Sequence, residues 1–284
     1  MTLTLVDSGS ERIFTRQRLT GGWLRVSVRG LANSPDSGHS NLRVLLVADV
    51  LHRVVKDLHA GHVQLAVVRP SRATETDGQL RLALPFTPEM LGIRPSLGVG
   101  DCLDPAAELL GQGCDVIVER SAGARVSSPH NGESHGPLTL GVGEVTEPVP
   151  AQPREPLATR LALLRHPRGE PVSLTAATLD QAEQTLHEWR RNIAAWAEHP
   201  SAPMHPATVE SARTALDDNL DVPAVLGLLP QLIDNPAVSP GAKFETFVFL
   251  DQVLALDLAR NVGQPVCAPC GRGARVRWAL SARQ

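Results

Sequence analysis

Hydrophobic and polar residues alternate over residues 23–28, and this period of two predicts a half-buried β-strand. A loop rich in Gly, Ser, Asn and Pro follows over residues 30–40. Over residues 41–59 the hydrophobic positions recur at helical spacing, with charged residues on the other face. Gly61 ends this helix, and residues 62–68 predict a second strand. The order strand, helix, strand predicts a βαβ unit with parallel strands and a right-handed crossover.

The pattern is weaker in the next ninety residues. Residues 69–100 contain four prolines and are predicted to be rich in loops. A short helix is predicted near residues 104–110, and a strand over residues 115–119. The stretch from 121 to 156 is predicted to be the least ordered, with one strand-like run at 137–140.

From residue 157 onward, helix formers dominate and there is little β signal. Thr178 and Gln181 have the spacing of a capping box, which predicts a helix that places Trp189 and Trp196 on one face, in a helical core. Further helices are predicted at 206–219, 223–234 and 241–262.

These patterns predict an α/β fold, with an N-terminal α/β domain followed by an α-helical bundle. The α/β domain is predicted to span residues 1–156 and the helical domain residues 157–264, with a basic flexible tail at 265–284. A length of 284 residues agrees with two domains of about 150 residues each.

Composition excludes several classes of protein. The 27 basic and 30 acidic side chains give a net charge of -3, which argues against a basic nucleic-acid scaffold, and DNA is not an expected partner. No run of residues is apolar enough for a membrane span, and residues 1–7 lack the pattern of a secretory signal. Four cysteines are too few for a disulfide framework. A cytoplasmic protein without membrane contact is therefore expected.

The loop at residues 30–40 is the first candidate site. Ligands of doubly wound sheets bind at the carboxyl ends of strands, where the next helix offers free N–H groups to phosphate. Gly38 would let a nucleotide approach the backbone, and His39 would contact phosphate or ribose. The other interpretation is an ordinary turn between strand and helix with a surface histidine.

Several segments carry a resemblance to a known family. Residues 35–40 (Pro-Asp-Ser-Gly-His-Ser) stand where the family has Ala-His-Ile-Gly-His-Ala, and residues 48–53 resemble its Phe-Asp-Val-Leu-Arg-Arg helix. Residues 90–95 resemble its Leu-Gly-Ile-Arg-Pro-Pro segment. Two later segments are similar to its Met-Asp-Asp-Asp-Leu-Asn-Thr-Pro and Val-Leu-Gly-Leu-Asp-Leu runs, and they lie at residues 214–224 and 250–258.

The chain thus resembles the cysteinyl-tRNA synthetases and the related cysteine ligases of mycothiol biosynthesis, which are class I synthetases. The resemblance implies a Rossmann-like catalytic domain, ATP as cofactor, and Gly30, Asp36, Gly38 and His39 as the residues that bind it. It also implies an amino acid or small carboxylic acid as substrate, and tRNA or another RNA as partner.

The chain departs from the family at its metal site. The family binds zinc through a Cys where this chain has Arg29, which cannot coordinate a cation. A second family segment is matched by His130, but Glu133 stands three rather than four positions later. Zinc binding is therefore not expected. Cys102 and Cys114 are interpreted as structural, and His52, His59 and His62 are not expected to converge. Cys267 and Cys270 in the tail are interpreted as reduced and exposed.

The chain also departs from the signatures that activate the amino acid. The family's Lys-Met-Ser-Lys-Ser segment supplies positive charge to pyrophosphate, whereas this chain has Glu144 and Glu147 at the two lysine positions. Asp36 replaces the first signature histidine. Two functions follow as expectations: a synthetase-like paralogue that acts through binding, regulation or a protein partner, or a specialised ATP-dependent ligase that uses other cations. The first is favoured.

Overall fold

The computed structural model describes residues 2–8, 13–17, 23–32, 34–68, 84–94, 98–100, 114–121, 137–146 and 155–264. Within them the chain is a mixed α/β protein, in which a parallel sheet packs against α-helices. The predicted α/β class is confirmed at this level.

Within the described residues, nine strands form three sheets. A hairpin of β1 (Thr2–Val6) and β2 (Ile13–Gln17) begins the chain. The central sheet contains β3 (Trp23–Val28), β4 (His62–Val68), β5 (Gly98–Gly100), β6 (Val116–Arg120) and β7 (Leu138–Val142). Two short strands, β8 (Val145–Thr146) and β9 (Val172–Ser173), pair in parallel.

All five central strands are parallel, in the order β5-β4-β3-β6-β7. The first two align from Trp23 opposite His62 to Val28 opposite Val67. The α-helix between them confirms the predicted βαβ unit. The chain thus builds one half of the sheet outward from β3, and then returns to build the other half from β6.

The described part of the chain also contains six α-helices. They are α1 (Gly38–Arg53), α2 (Pro156–Leu164), α3 (Ala176–Trp196), α4 (Pro206–Asp217), α5 (Val222–Asp234) and α6 (Pro240–Leu254). A π-helical segment over Val54–Leu58 continues α1, and 3-10 turns lie at Pro35–Ser37 and Glu89–Leu91. Proline occupies the first turn of α2, α4, α5 and α6, where its missing N–H costs no hydrogen bond.

Three sequence predictions need correction, and one element was not predicted. The capping box of α3 is formed by Thr175 and Thr178, three residues earlier than predicted, because these two hydroxyls reach each other's backbone N–H. The helix predicted at 241–262 ends at Leu254, since Ala255 adopts a left-handed conformation with φ of 49°. Residues 98–100 form a strand within a region predicted as loop, and the hairpin of β1 and β2 was not predicted. The helix predicted near 104–110 lies outside the described residues.

One hydrophobic cluster runs from the sheet into the helices. It includes Val26 of β3, Leu51 of α1, Leu161 of α2 and Phe247 of α6. Trp189 and Trp196 both contact the ring of Phe247, at centroid distances of 6.3 and 5.3 Å, as their predicted core position requires. The division predicted between residues 156 and 157 stays a prediction.

No helix in the described part of the chain is long and apolar enough to cross a membrane.

Candidate functional site

The order of the central strands marks one point on the carboxyl edge of the sheet. The direction in which the chain builds the sheet reverses between the neighbouring strands β3 and β6. In open parallel sheets this reversal leaves a crevice beyond the strand ends, where ligands bind. The loop from β3 to α1 begins at this point, and the four sequence-predicted residues lie in this loop and in the first turn of α1.

Gly30 turns the chain away from the sheet. The preceding N–H, of Arg29, still donates to the carbonyl of Val118 at 2.9 Å, so β3 remains paired with β6 up to the turn. Gly30 has a φ of 69°, which residues with a Cβ adopt only at a cost. A Cβ at this position would lie 3.5 Å from the backbone nitrogen of Arg120. The glycine therefore keeps the loop close to the end of β6.

Asn41 fixes the rest of the loop. Its buried side-chain amide accepts from the N–H of Ala32 at 2.9 Å and donates to the carbonyl of the same residue at 2.6 Å. Both hydrogen-bonding groups of one loop residue are thus held by α1. Asn41 was not predicted from the sequence, although a polar residue at the start of a hydrophobic helix is a weak signal for such a contact.

The four predicted residues lie at different depths. Gly30 and Asp36 are exposed, His39 is half-buried, and Gly38 is buried in the first turn of α1 with ordinary right-handed helical angles. Gly30, Asp36 and His39 are accessible to a ligand at the start of α1, whereas Gly38 contributes through the geometry of the helix start.

The segment expected to hold the second signature lies against the first. The Ser40 hydroxyl accepts from the N–H of Val145 at 2.9 Å and is 3.3 Å from the carbonyl oxygen of the same residue. Glu144, next to Val145, pairs with Arg120 at 2.9 Å. The carboxylate of Glu144 is about half exposed, and Glu144 follows the carboxyl end of β7. Glu147 lies outside the described residues.

Arg43 of α1 holds the backbone at Gly143 and at residues 167–170 in place. Its buried guanidinium donates to the carbonyls of Gly143, Pro167 and Glu170, with distances of 3.1 Å to Gly143 and 2.7 Å to Pro167. Burial lowers the pKa of Arg43 to about 10, although the negative charge of Glu170 opposes this effect. Helical periodicity places Arg43 with the charged residues on the polar face of its helix. Periodicity cannot show a loop that folds back over that face.

A buried polar cluster joins three of the segments that carry the family resemblance. Asp49 accepts from Arg160 at 2.7 Å, from Arg53 at 2.9 Å and from the N–H of Arg94 at 3.0 Å. Arg160 also donates to the carbonyl of Leu254. The segments at 48–53 and 90–94 thus meet at the Asp49 carboxylate, and the segment at 250–258 joins them through Arg160 and Arg53.

The charges of this cluster determine its protonation. Burial alone would raise the pKa of Asp49, but the charges of Arg160 and Arg53 and the N–H of Arg94 outweigh it and hold the pKa below 3.8. The side chains of Asp49 and Arg160 have no solvent exposure. We assign a structural role to the pair of Asp49 and Arg160, because neither side chain is accessible to solvent.

The segment at 214–224 contacts the end of β1. Asn219 accepts from the N–H of Val6 at 3.1 Å and from Arg168 at 2.6 Å. Its φ of 56° and that of Leu220, 60°, place two consecutive residues in the left-handed region. This loop thereby lies against the end of β1.

The histidines and cysteines do not form a metal site within the described residues. His59 pairs with Asp217, and His62 stacks on Trp23 with a centroid distance of 5.0 Å. His52 is half-buried, and burial and then the charge of Arg94 lower its pKa. Among the described residues no group of three His, Cys, Asp or Glu side chains is placed to hold a metal ion.

Cys114 has a structural environment. Its thiol donates to the carbonyl of Val116 at 2.9 Å, and burial raises its pKa. This agrees with the structural role that the sequence indicated. The other residues considered as thiols or metal ligands lie outside the described residues: Cys102, His130, Glu133, Cys267 and Cys270.

Comparison with models of known protein families finds no match for this chain. Comparison with curated proteins also finds no significant match.

Proposed function

We propose that this protein is a degenerate class I synthetase-like protein that binds an adenine nucleoside or nucleotide and does not activate an amino acid. The observation that carries the proposal is the position of Glu144. The next residue, Val145, is hydrogen-bonded through its backbone to Ser40 in the first turn of α1, and Glu144 stands where a synthetase of the family that the sequence resembles has a lysine.

The first support is the fold. The strand order β5-β4-β3-β6-β7 is the order of a Rossmann-type sheet counted from its first strand, and the loop with Gly30 leaves that first strand. A positive-φ glycine followed by a helix start is the arrangement by which such sheets accommodate a nucleotide. The half-buried ring of His39 offers a polar contact for the nucleoside at the same place.

The second support is the convergence at Asp49. Residues 48–53, 90–95 and 250–258 are far apart in the chain, yet each contributes to the hydrogen bonds of one buried cluster. Segments that resemble one family in the same order, and that also pack together, agree with a shared ancestry.

The charges favour binding over catalysis. Asp36 brings negative charge to the turn before α1, Glu144 stands at one of the two lysine positions of the family, and Arg120 is already paired with Glu144. Triphosphate activation needs positive charge where the leaving pyrophosphate develops, and loss of such groups costs roughly a hundredfold or more in rate. A nucleoside without phosphates meets no such repulsion.

Calorimetric titration of the full chain with adenosine and with ATP tests the proposal. Adenosine should bind at least as tightly as ATP, and His39→Ala should weaken both. His187→Ala changes an exposed histidine on α3 and serves as the control. Binding of neither ligand would refute a nucleoside site.

Exchange of labelled pyrophosphate into ATP, measured with each amino acid in turn, separates the two expected functions. The proposal predicts no exchange. Exchange with one acid, lost in His39→Ala, would instead support the specialised ligase. Binding of tRNA or of another RNA stays a prediction of the resemblance.

A further inference from the structure

Arg120 and Glu144 form an ion pair that is attached to both ends of the segment leading from β3 into α1. A Cβ at Gly30, where this segment leaves the sheet, would lie 3.5 Å from the backbone nitrogen of Arg120. In the first turn of α1, the Ser40 hydroxyl is hydrogen-bonded to the backbone of Val145, the residue after Glu144. The backbone of each partner of the pair is thus next to one end of the segment.

The side chain of Arg120 leaves the sheet on the face that α1 covers. Arg120 is the last residue of β6, two positions after Val118, and side chains two positions apart in a strand point to the same face. Val118 belongs to the hydrophobic cluster that contains Leu42 of α1, and α1 contacts β6 directly. Ala66, on the opposite face of the sheet, belongs to a separate small cluster. The guanidinium therefore starts from the α1 side of the sheet, at its carboxyl edge.

This position is the point at which the sheet reverses. β3 and β6 are the neighbours between which the building direction changes, and Arg120 ends β6 beside the turn at Gly30. Ligands of open parallel sheets bind beyond the strand ends at such a reversal. A guanidinium at this place is suited to an anionic group of the ligand, and it matches phosphate in particular, because phosphate accepts two N–H groups from one arginine.

The contact between Arg120 and Glu144 is one that a ligand can replace. One guanidinium nitrogen donates to one carboxylate oxygen at 2.9 Å, and the guanidinium has no other hydrogen-bond partner within the described part of the chain. The side chain of Arg120 is 22% exposed and that of Glu144 is 54% exposed. Exposed pairs with a single contact contribute little, whereas phosphate makes two charged hydrogen bonds to the same group.

We propose that Arg120 is the phosphate-binding residue of the nucleoside site, and that Glu144 blocks it in the protein without ligand. The pair then determines the charge of the ligand. A nucleoside binds while the pair is intact, whereas the phosphate of a nucleotide first has to displace the Glu144 carboxylate. This inference rests on the proposed nucleoside site and deepens it, because it names the two side chains that select against phosphate.

Calorimetric titration of the full chain with adenosine and with adenosine monophosphate tests the assignment. Glu144→Gln keeps the size of the side chain and removes the competing charge. It should raise the affinity for the monophosphate about fivefold, the effect of about 1 kcal/mol, and leave that for adenosine unchanged. Adding Arg120→Gln to this variant should abolish the gain. Asp257→Asn removes the acid of another exposed pair and should alter neither affinity.

Two results would overturn the assignment: a monophosphate affinity that Glu144→Gln does not raise, or a gain that persists in the double variant. If neither adenosine nor the monophosphate binds the wild type, the proposed nucleoside site itself fails, and pyrophosphate then tests Arg120 alone. Glu144→Gln should bind pyrophosphate more tightly than the double variant does, and equal binding would overturn the role of Arg120. Circular dichroism checks that both variants are folded, as the partial exposure of the two side chains leads us to expect.

Discussion

Replacing Asp49 by Asn should destabilise the fold more than any other single charge change in the described residues that we have considered. The substitution keeps the shape of the side chain but removes the carboxylate that pairs with Arg160, a guanidinium without solvent exposure. Arg53 loses the same partner, at 2.9 Å. A buried charge left without its counter-ion typically costs about 3–5 kcal/mol. We therefore expect the free energy of unfolding to fall by at least about 3 kcal/mol.

Urea denaturation, followed by tryptophan fluorescence and circular dichroism, measures this loss. Asp257→Asn is the matched control, because that carboxylate is more than half exposed and lies 3.9 Å from its partner Arg260. Exposed pairs of this kind contribute about 1 kcal/mol or less. A loss below about 1 kcal/mol in Asp49→Asn would refute the idea that the cluster joins α1 to α2 and α6.

The same variant has a defined pH dependence. The pKa of Asp49 is lower in the folded protein than its ordinary value of 3.8, so its contribution is fully present above about pH 4. The contribution is lost as the pH falls toward the folded pKa. The difference in unfolding free energy between wild type and Asp49→Asn should therefore narrow below pH 4, and a constant difference would contradict this assignment of charge.

Three further predictions concern the start of α1. Gly30→Ala should cost about 1–2 kcal/mol of stability, because φ is 69°, while Gly169→Ala, with open space around it, should be near neutral by the same denaturation assay. Ser40→Ala should cost about 1–3 kcal/mol, because it leaves the buried backbone of Val145 without its partner; the exposed Ser211→Ala is its control. Glu144→Gln should change stability by less than about 1 kcal/mol but raise the affinity for ATP relative to adenosine, measured by calorimetry, and an unchanged ratio would count against the proposed repulsion.

Local periodicity predicted the parts of the fold that depend on neighbouring residues. The βαβ unit from residue 23 to 68 and the helices near 206, 223 and 241 could be predicted, because their hydrophobic faces repeat within a few residues. The strand at 98–100 could not, since three residues with two glycines give no period and depend on pairing with β4. The hairpin of β1 and β2 was not predicted either.

The residues of the site also divide into those that a local pattern predicts and those that it does not. Gly30, Asp36 and His39 could be found because they follow a recognisable strand in a short loop. Asn41 and Arg43 could not, because their partners, Ala32 and the loop near Gly143, meet them only after the chain has folded.

Photoaffinity labelling with 8-azidoadenosine, followed by peptide mass spectrometry, tests the nucleoside site most directly. Trypsin cuts after Arg29 and Arg43, so residues 30–43, with Gly30, Asp36, Gly38 and His39, are released as one peptide. The account predicts label on this peptide that excess adenosine prevents. Label that adenosine does not displace, or label confined to other peptides, would contradict it.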